Sequence, residues 1–106
     1  MIYYVLTEEE WELAKEEDEY WPSDFDDRGY IPCANPGQTE HLVDELMLKN
    51  DPLVLVSIDP QKLESVIIYE DVHESGMMKP HVYGYINIDA IMGVKDYHRP
   101  TFPITN

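Results

Sequence analysis

The sequence has few cysteines, few basic residues and no long apolar run, and each scarcity excludes a class of protein. Cys33 is the only cysteine, so no disulfide can form within the chain and a cytoplasmic location is expected. One thiol with four scattered histidines lacks the spacing of a zinc site. We therefore predict no metal site and no cofactor. The longest aliphatic run, 53–56, is far too short to cross a bilayer, and no signal-peptide pattern opens the chain. We predict no membrane association.

Positive charge is also scarce. The chain has 7 lysines and arginines against 22 aspartates and glutamates, for a formal net charge of −15. Such a charge repels phosphate backbones, so we predict no direct binding to nucleic acid. Half of the acidic side chains fall within residues 8–27. Two interpretations of this acidic segment stay open: it keeps the protein soluble, or it meets a basic protein partner.

The 106 residues are typical of a single domain, here 1–106. Thr7 and Glu10 predict a capping box at the start of a first helix, after an opening strand. Asn35 and Pro36 predict the start of a second helix, with Gln38 at its third position. Its core face is predicted at four apolar positions: Leu42, Val43, Leu46 and Met47. The apolar run at 53–58 predicts a buried strand, and further strands are predicted at 66–70, 80–86 and 90–97, before an irregular tail at 99–106. The pattern predicts an α+β fold with one mixed sheet and two main helices.

Residues 80–84 form the most suggestive local group. On an alternating strand His81 and Tyr83 point to the same face, and Gly84 would let a ligand or another backbone approach. The alternative is an aromatic pair that only covers the sheet. Cys33 could be activated by His81 as a nucleophile, but a lone cysteine beside an extended segment is more often a small core residue.

Three segments, 2–7, 29–34 and 79–84, together resemble one known family. The matching positions are Ile2, Tyr3, Thr7, Trp11, Tyr20, Gly29, Ile31, Cys33, Gln38, Ile58, Asp59, Glu70, Pro80, His81, Tyr83 and Gly84. In this order they are similar to the domain-of-unknown-function family 952, a family of short bacterial proteins, and the resemblance extends over a core of residues 2–95.

The resemblance implies a fold of the ADP-ribosyltransferase-like type, which holds NAD or a related nucleotide in a cleft. Two histidines of the family are replaced here by Tyr4 and Pro32. Tyrosine cannot become cationic and proline removes a backbone donor, so the resemblance implies a diverged, non-catalytic protein that keeps a cleft for a nucleotide-like small molecule. The ligand-binding candidates are Tyr4, Thr7, Tyr30, Cys33, Gln38, His81 and Tyr83.

Two alternatives remain. One is a nucleotide-directed transferase in which His81 contacts the ligand and Glu70 orients a hydroxyl group. The other is an acidic interaction protein that binds a basic partner through residues 8–27. A shared cleft requires Tyr4 and His81 to converge, whereas the acidic interaction protein requires a continuous acidic face.

Overall fold

A computed structural model describes residues 1–46, 48, 52–72 and 74–98. The elements, in chain order, are β1 (Ile2–Thr7), α1 (Glu8–Glu17), β2 (Glu19–Tyr20), α2 (Phe25–Arg28), β3 (Ile31–Pro32), α3 (Thr39–Glu45), β4 (Leu53–Ile58), β5 (Val66–Glu70), β6 (Lys79–Tyr83), β7 (Ile86–Asn87), a 3-10 turn (Ile88–Ala90) and β8 (Ile91–Tyr97). The α+β class is confirmed. The predicted tail at 99–106 and Met47 lie outside the described residues. Among the described residues, no helix is both long and apolar enough to span a bilayer.

The strands form three small antiparallel sheets, so the prediction of one mixed sheet is wrong. Their orders are β1-β4-β8, β2-β7 and β3-β6-β5. The strand predicted at 80–86 divides at Gly84, whose φ of 148° interrupts the regular ladder. Its first part pairs with β3 and β5, and its second part pairs with β2. Tyr3 and Ala34 exchange two backbone hydrogen bonds of 2.8 Å, which join the sheet of β1 to the sheet of β3.

The start of α1 is confirmed as a capping box. The Thr7 hydroxyl accepts a bond from the Glu10 amide at 3.1 Å, and the Glu10 carboxylate accepts one from the Thr7 amide at 3.2 Å. Both bonds satisfy amides that an α-helix leaves without an internal partner at its first turn. The helix ends at Glu17, and the next residue, Asp18, has a left-handed φ of 63°.

Loss of this cap is expected to lower stability. Thr7→Ala should reduce the free energy of unfolding by about 1 kcal/mol, because the Glu10 amide loses its acceptor. Thr39→Ala is the matched control, since α3 begins at Thr39 without a side-chain cap, and its cost should stay within about 0.5 kcal/mol. Urea unfolding of both variants measures the difference, and equal losses would contradict the role of the box.

The start of α3 differs from the prediction. Residues 35–38 form a turn in which the Gln38 amide donates to the Asn35 carbonyl at 3.0 Å and the Gln38 side chain accepts from the Asn35 amide at 3.1 Å. Gly37 has a φ of 86°, which a helix cannot contain, so α3 begins only at Thr39. Leu42 and Val43 are buried as predicted, and Leu46 packs against the core.

Candidate functional site

The sheet β3-β6-β5 has two unlike faces. Pro32 pairs with His81, and His81 pairs with Ile68. Because side chains alternate along a strand, one face carries Ile31, Cys33 and Val82, all buried in the core. The other face carries the polar and aromatic side chains Tyr30, Glu70, Lys79, His81 and Tyr83, together with Pro32 and Ile68. We name Tyr30, Glu70, His81 and Tyr83 the site cluster.

The site cluster is held by stacking and by one shared carboxylate. The rings of Tyr30 and His81 stack with centroids 4.1 Å apart and planes 14° apart. Nδ1 of His81 lies 2.8 Å from Oε1 of Glu70, and the Tyr83 hydroxyl donates to the same oxygen. The ring of Tyr83 also lies 5.6 Å from that of Tyr30. The prediction that His81 and Tyr83 share a face is therefore confirmed.

The hydrogen bond to Glu70 fixes which nitrogen of His81 carries the proton. An ionised carboxylate can only accept hydrogen bonds, so Nδ1 must carry the proton that bonds to Glu70. In the neutral ring Nε2 is then an acceptor. His81 is only 1% exposed, and the part of the chain that the structure describes supplies Nε2 with no hydrogen-bond partner. A hydroxyl or N–H group of a bound molecule would satisfy it.

Hydrogen bonding shifts the acid–base behaviour of the cluster. The bond to the Glu70 carboxylate raises the pKa of Tyr83 to about 12. The Tyr83 and His81 hydrogen bonds lower the pKa of Glu70 below its ordinary 4.5. Burial raises the pKa of Tyr30, with a further increase from Glu45 that Arg28 opposes. The cluster thus keeps Glu70 ionised and its tyrosines protonated at neutral pH.

The Glu70–Tyr83 bond is expected to make stability depend on pH at both extremes. Because the pKa of Tyr83 is raised, its hydrogen bond contributes fully to the free energy of unfolding below pH 10. This contribution disappears as the pH rises through about 12. Because the pKa of Glu70 is lowered, its hydrogen bonds contribute to the free energy of unfolding above pH 4.5. This contribution disappears as the pH falls through the pKa of Glu70 in the folded protein. The stability difference between the unsubstituted chain and Tyr83→Phe should therefore be largest between these limits, as measured by urea unfolding.

Tyr69→Phe is the matched control for this dependence, since Tyr69 is exposed on the neighbouring strand β5. If the stability difference between the unsubstituted chain and Tyr83→Phe stays constant from acid to alkaline pH, the hydrogen bond between Tyr83 and Glu70 is contradicted.

Two cationic side chains, Arg28 and Lys79, lie beside the site cluster, and both are paired with carboxylates. Arg28 lies 3.3 Å from Asp24 and 3.5 Å from Glu45, and Lys79 lies 3.5 Å from the other oxygen of Glu45. The Glu45 side chain is only 12% exposed, so the network is partly shielded from water. This network could not be predicted from the sequence, because α2, α3 and β6 bring its members together from distant positions.

The structure places Tyr4 and Cys33 away from the site cluster. Cys33 follows Pro32 and points to the core face, and burial raises the pKa of its thiol, which opposes formation of a nucleophilic thiolate. The Tyr4 hydroxyl lies 3.4 Å from that of Tyr20, which donates to Glu10 at 3.0 Å. Burial is also the main cause of the raised pKa of Tyr4. The side chains of Tyr4 and Cys33 thus lie in the core and outside the site cluster, whereas the expected cleft required them to line one concavity with His81.

The remaining ligand candidates have structural roles in the described residues. Thr7 caps α1, and Gln38 closes the turn before α3. Glu10 joins the capping box to Tyr20, a contact that sequence spacing does not signal. Among the described residues, no group of three or more histidine, cysteine, aspartate or glutamate side chains is arranged to hold a metal ion.

Comparison with known proteins gives the family. The family model described as "Protein of unknown function (DUF952)" matches residues 5–94. The chain belongs to the DUF952 family. Its fold is similar to the crystal structure of protein CC0527 from Caulobacter crescentus, with a TM-score of 0.77 and 21% identity over 90% of this chain and 83% of that chain. A double mutant of the same protein gives a TM-score of 0.76 and 20% identity over the same shares. At this identity the likeness shows the fold alone. No curated protein matches the chain.

Proposed function

We propose that this DUF952 protein is a cytoplasmic, ADP-ribosyltransferase-like domain that binds a nucleotide-like small molecule at the site cluster without turning it over. The observation that carries the proposal is the buried His81, covered by Tyr30 and fixed by Glu70. Stacked aromatic rings beside a fixed acceptor suit a planar ring joined to a sugar. The buried free thiol of Cys33 suits a reducing compartment.

The chemistry favours contact with the nucleoside part of such a molecule. Tyr30 and Tyr83 offer aromatic surface for a base, and the carboxylate of Glu70 is an acceptor for ribose hydroxyls. The two nearby cations, Arg28 and Lys79, are already paired with Asp24 and Glu45. Since the whole chain carries a net charge of −15, phosphate groups should add little to affinity.

A thermal-shift screen with adenosine, AMP, ADP-ribose and NAD tests the proposal. A ligand that binds only the folded state at about 100 times its Kd adds about 2.7 kcal/mol of stability. We expect all four to raise Tm at comparable concentrations, with little dependence on salt. If none does so, the proposal fails. If only the phosphorylated compounds act, and salt suppresses their effect, the site recognises phosphate instead.

A second candidate is the nucleotide-directed transferase, which the Glu70–His81 hydrogen bond of 2.8 Å favours. A carboxylate that orients a histidine is a common arrangement for moving a proton. Against it, Tyr4 and Pro32 stand where the family's histidines are expected. We therefore expect NAD hydrolysis or transfer to be weak or absent. Robust NAD turnover that is lost in Glu70→Gln would favour the transferase.

A third candidate is binding of a basic partner by the acidic segment. A cavity of about 440 Å³ lies along α1 and β2, and its lining combines carboxylates with apolar surface: Glu10, Leu13, Ala14, Glu17, Glu19, Tyr20, Trp21 and Ser23. An arginine side chain has the charge and the flat shape for such a site. Trp21 itself donates to Glu19 at 3.0 Å, so its fluorescence should report binding.

An arginine-containing peptide tests the third candidate in a Trp11→Phe background, where Trp21 is the only tryptophan. Glu17→Gln should weaken the fluorescence response, whereas Glu16→Gln, a neighbour outside the cavity lining, should not. The response should also weaken as salt rises. No response, or equal losses in both variants, leaves solubility as the role of the acidic segment.

A further inference from the structure

The strand β5 is an exposed apolar edge. It is the outer strand of the sheet β3-β6-β5, and Val66, Ile68 and Tyr69 are 63%, 43% and 50% exposed. Edge strands of soluble proteins are usually protected by lysine, proline or a bulge, because their free backbone groups can pair with another chain. The sequence of β5, VIIYE, has no basic residue and no proline, and its register with β6 is unbroken.

The hydrogen bond of Pro80 shows which backbone groups of β5 are free. Its carbonyl accepts a bond from the Cys33 amide at 2.9 Å, so position 80 faces β3 rather than β5. In an antiparallel ladder the positions alternate, and positions 79, 81 and 83 therefore face β5. Their partners on β5 are 70, 68 and 66. It follows that Ile67 and Tyr69 direct their N–H and C=O groups away from the sheet, where no described residue meets them.

A second edge strand with exposed apolar side chains, β8, is different. It ends the sheet β1-β4-β8 and also shows apolar side chains, with Val94 41% exposed. However, it carries Lys95 and Asp96, and its register with β4 shifts at Ser57/Ile58. Charged side chains and a register shift are the usual protections of an edge. Only β5, of these two strands, combines free backbone groups with an unprotected apolar surface.

We propose that β5 pairs antiparallel with β5 of a second copy of this chain. The free groups of Ile67 can bond to those of the partner's Tyr69, and the free groups of Tyr69 to those of the partner's Ile67. This register places Ile68 directly opposite the partner's Ile68. It uses every outward backbone group of Ile67 and Tyr69 in both copies and is its own complement, as a two-fold dimer requires. A continuous six-stranded sheet results.

The charge of β5 permits this contact although the whole chain carries −15. Glu70 is the only charged residue of the strand, and its carboxylate already accepts hydrogen bonds from His81 and Tyr83. The remaining repulsion between two acidic copies acts at a distance and is screened by salt, over about 8 Å at 0.15 M. Added salt should therefore strengthen the dimer, whereas it should weaken binding of a basic partner to the acidic segment.

Pairing would also complete the surroundings of the site cluster. Positions 66, 68 and 70 lie on the same sheet face as His81 and Tyr83. A two-fold axis perpendicular to the sheet keeps the site clusters of both copies on one face. The register then sets the partner's Val66 opposite Glu70, which adds an apolar neighbour to the carboxylate. The dimer itself does not depend on whether a small molecule binds.

Sedimentation equilibrium at low and high salt tests the proposal. We expect a species of twice the 12.4 kDa chain mass that grows with protein concentration and with salt. Ile68→Lys should raise the dissociation constant by at least about tenfold, because like charges then face each other across the pair. Val94→Lys, at a similarly exposed apolar position on β8, should leave the constant unchanged.

Backbone measurements keep the test independent of a folding defect. Tyr69→Pro removes an outward N–H that β6 does not use. This variant should be folded by circular dichroism and monomeric by sedimentation. Amide hydrogen exchange at Ile67 and Tyr69 should slow as protein concentration rises. A chain that stays monomeric at all concentrations and salt levels overturns the proposal. A dimer that Ile68→Lys and Val94→Lys weaken equally, or that leaves both amides unprotected, overturns it as well.

Discussion

His81→Phe is expected to abolish the Tm increase that adenosine or ADP-ribose gives to the unsubstituted protein. Phenylalanine keeps an aromatic ring beneath Tyr30, which stacks on His81 at 4.1 Å. It removes both ring nitrogens, and with them the 2.8 Å bond to Glu70 and the acceptor Nε2. At a ligand concentration of about 100 times Kd, the free energy of unfolding of the unsubstituted protein should rise by about 2.7 kcal/mol. Each kcal/mol raises Tm by about 4–8 °C. The variant should gain almost none.

His41→Phe is the control, because His41 is an exposed histidine of α3 and has no part in the site cluster. Its ligand response should equal that of the unsubstituted protein. Both variants must first show a cooperative thermal transition without ligand. If His81→Phe folds and still responds fully to the ligand, the binding site lies elsewhere.

Gly84→Ala is expected to cause the largest loss of stability among the substitutions considered. Gly84 has a φ of 148°, and a Cβ atom added there would lie 2.4 Å from Oγ of Ser65 and 3.0 Å from its Cβ. Ser65 cannot move freely, because its hydroxyl donates to the Tyr85 carbonyl at 2.7 Å. Backbone strain and overpacking together should cost about 3 kcal/mol. Tm should fall by more than about 10 °C.

Gly93→Ala provides the comparison within the same fold. A Cβ atom added at Gly93 would meet Oγ of Ser57 at 3.6 Å, which is an ordinary contact. Its stability should change by less than about 1 kcal/mol, and a small gain is expected from reduced freedom of the unfolded chain. If the two alanine variants melt at the same temperature, the close approach at Gly84 has no energetic weight.

Features that depend on neighbouring residues were predictable from the sequence. The capping box needs only Thr7 and Glu10, three positions apart, and the structure confirms both bonds. Strand alternation likewise placed His81 and Tyr83 on one face, and both bond to Glu70. In each case the periodicity of a single element decides the outcome.

Features that depend on distant partners were not predictable in this way. The Asn35–Pro36 start signal was overridden by Gly37, whose left-handed backbone forms a turn before α3. The division of the 80–86 strand at Gly84 depends on Ser65 and on the pairing with β2. The face of β1 that carries Tyr4 depends on packing against Tyr20. No periodicity in the sequence reports these long-range contacts.

An NMR titration of the isotope-labelled chain with ADP-ribose locates the bound molecule residue by residue, and so tests whether it binds at the site cluster. We expect shifts in the amides of 28–31, 68–70, 79 and 81–84, together with a change at the ring nitrogens of His81. We also expect adenosine to produce the same pattern, since the nucleoside part makes the contacts. Shifts confined to residues 10–23, or no shifts at saturating ligand, would contradict the assignment of the site cluster.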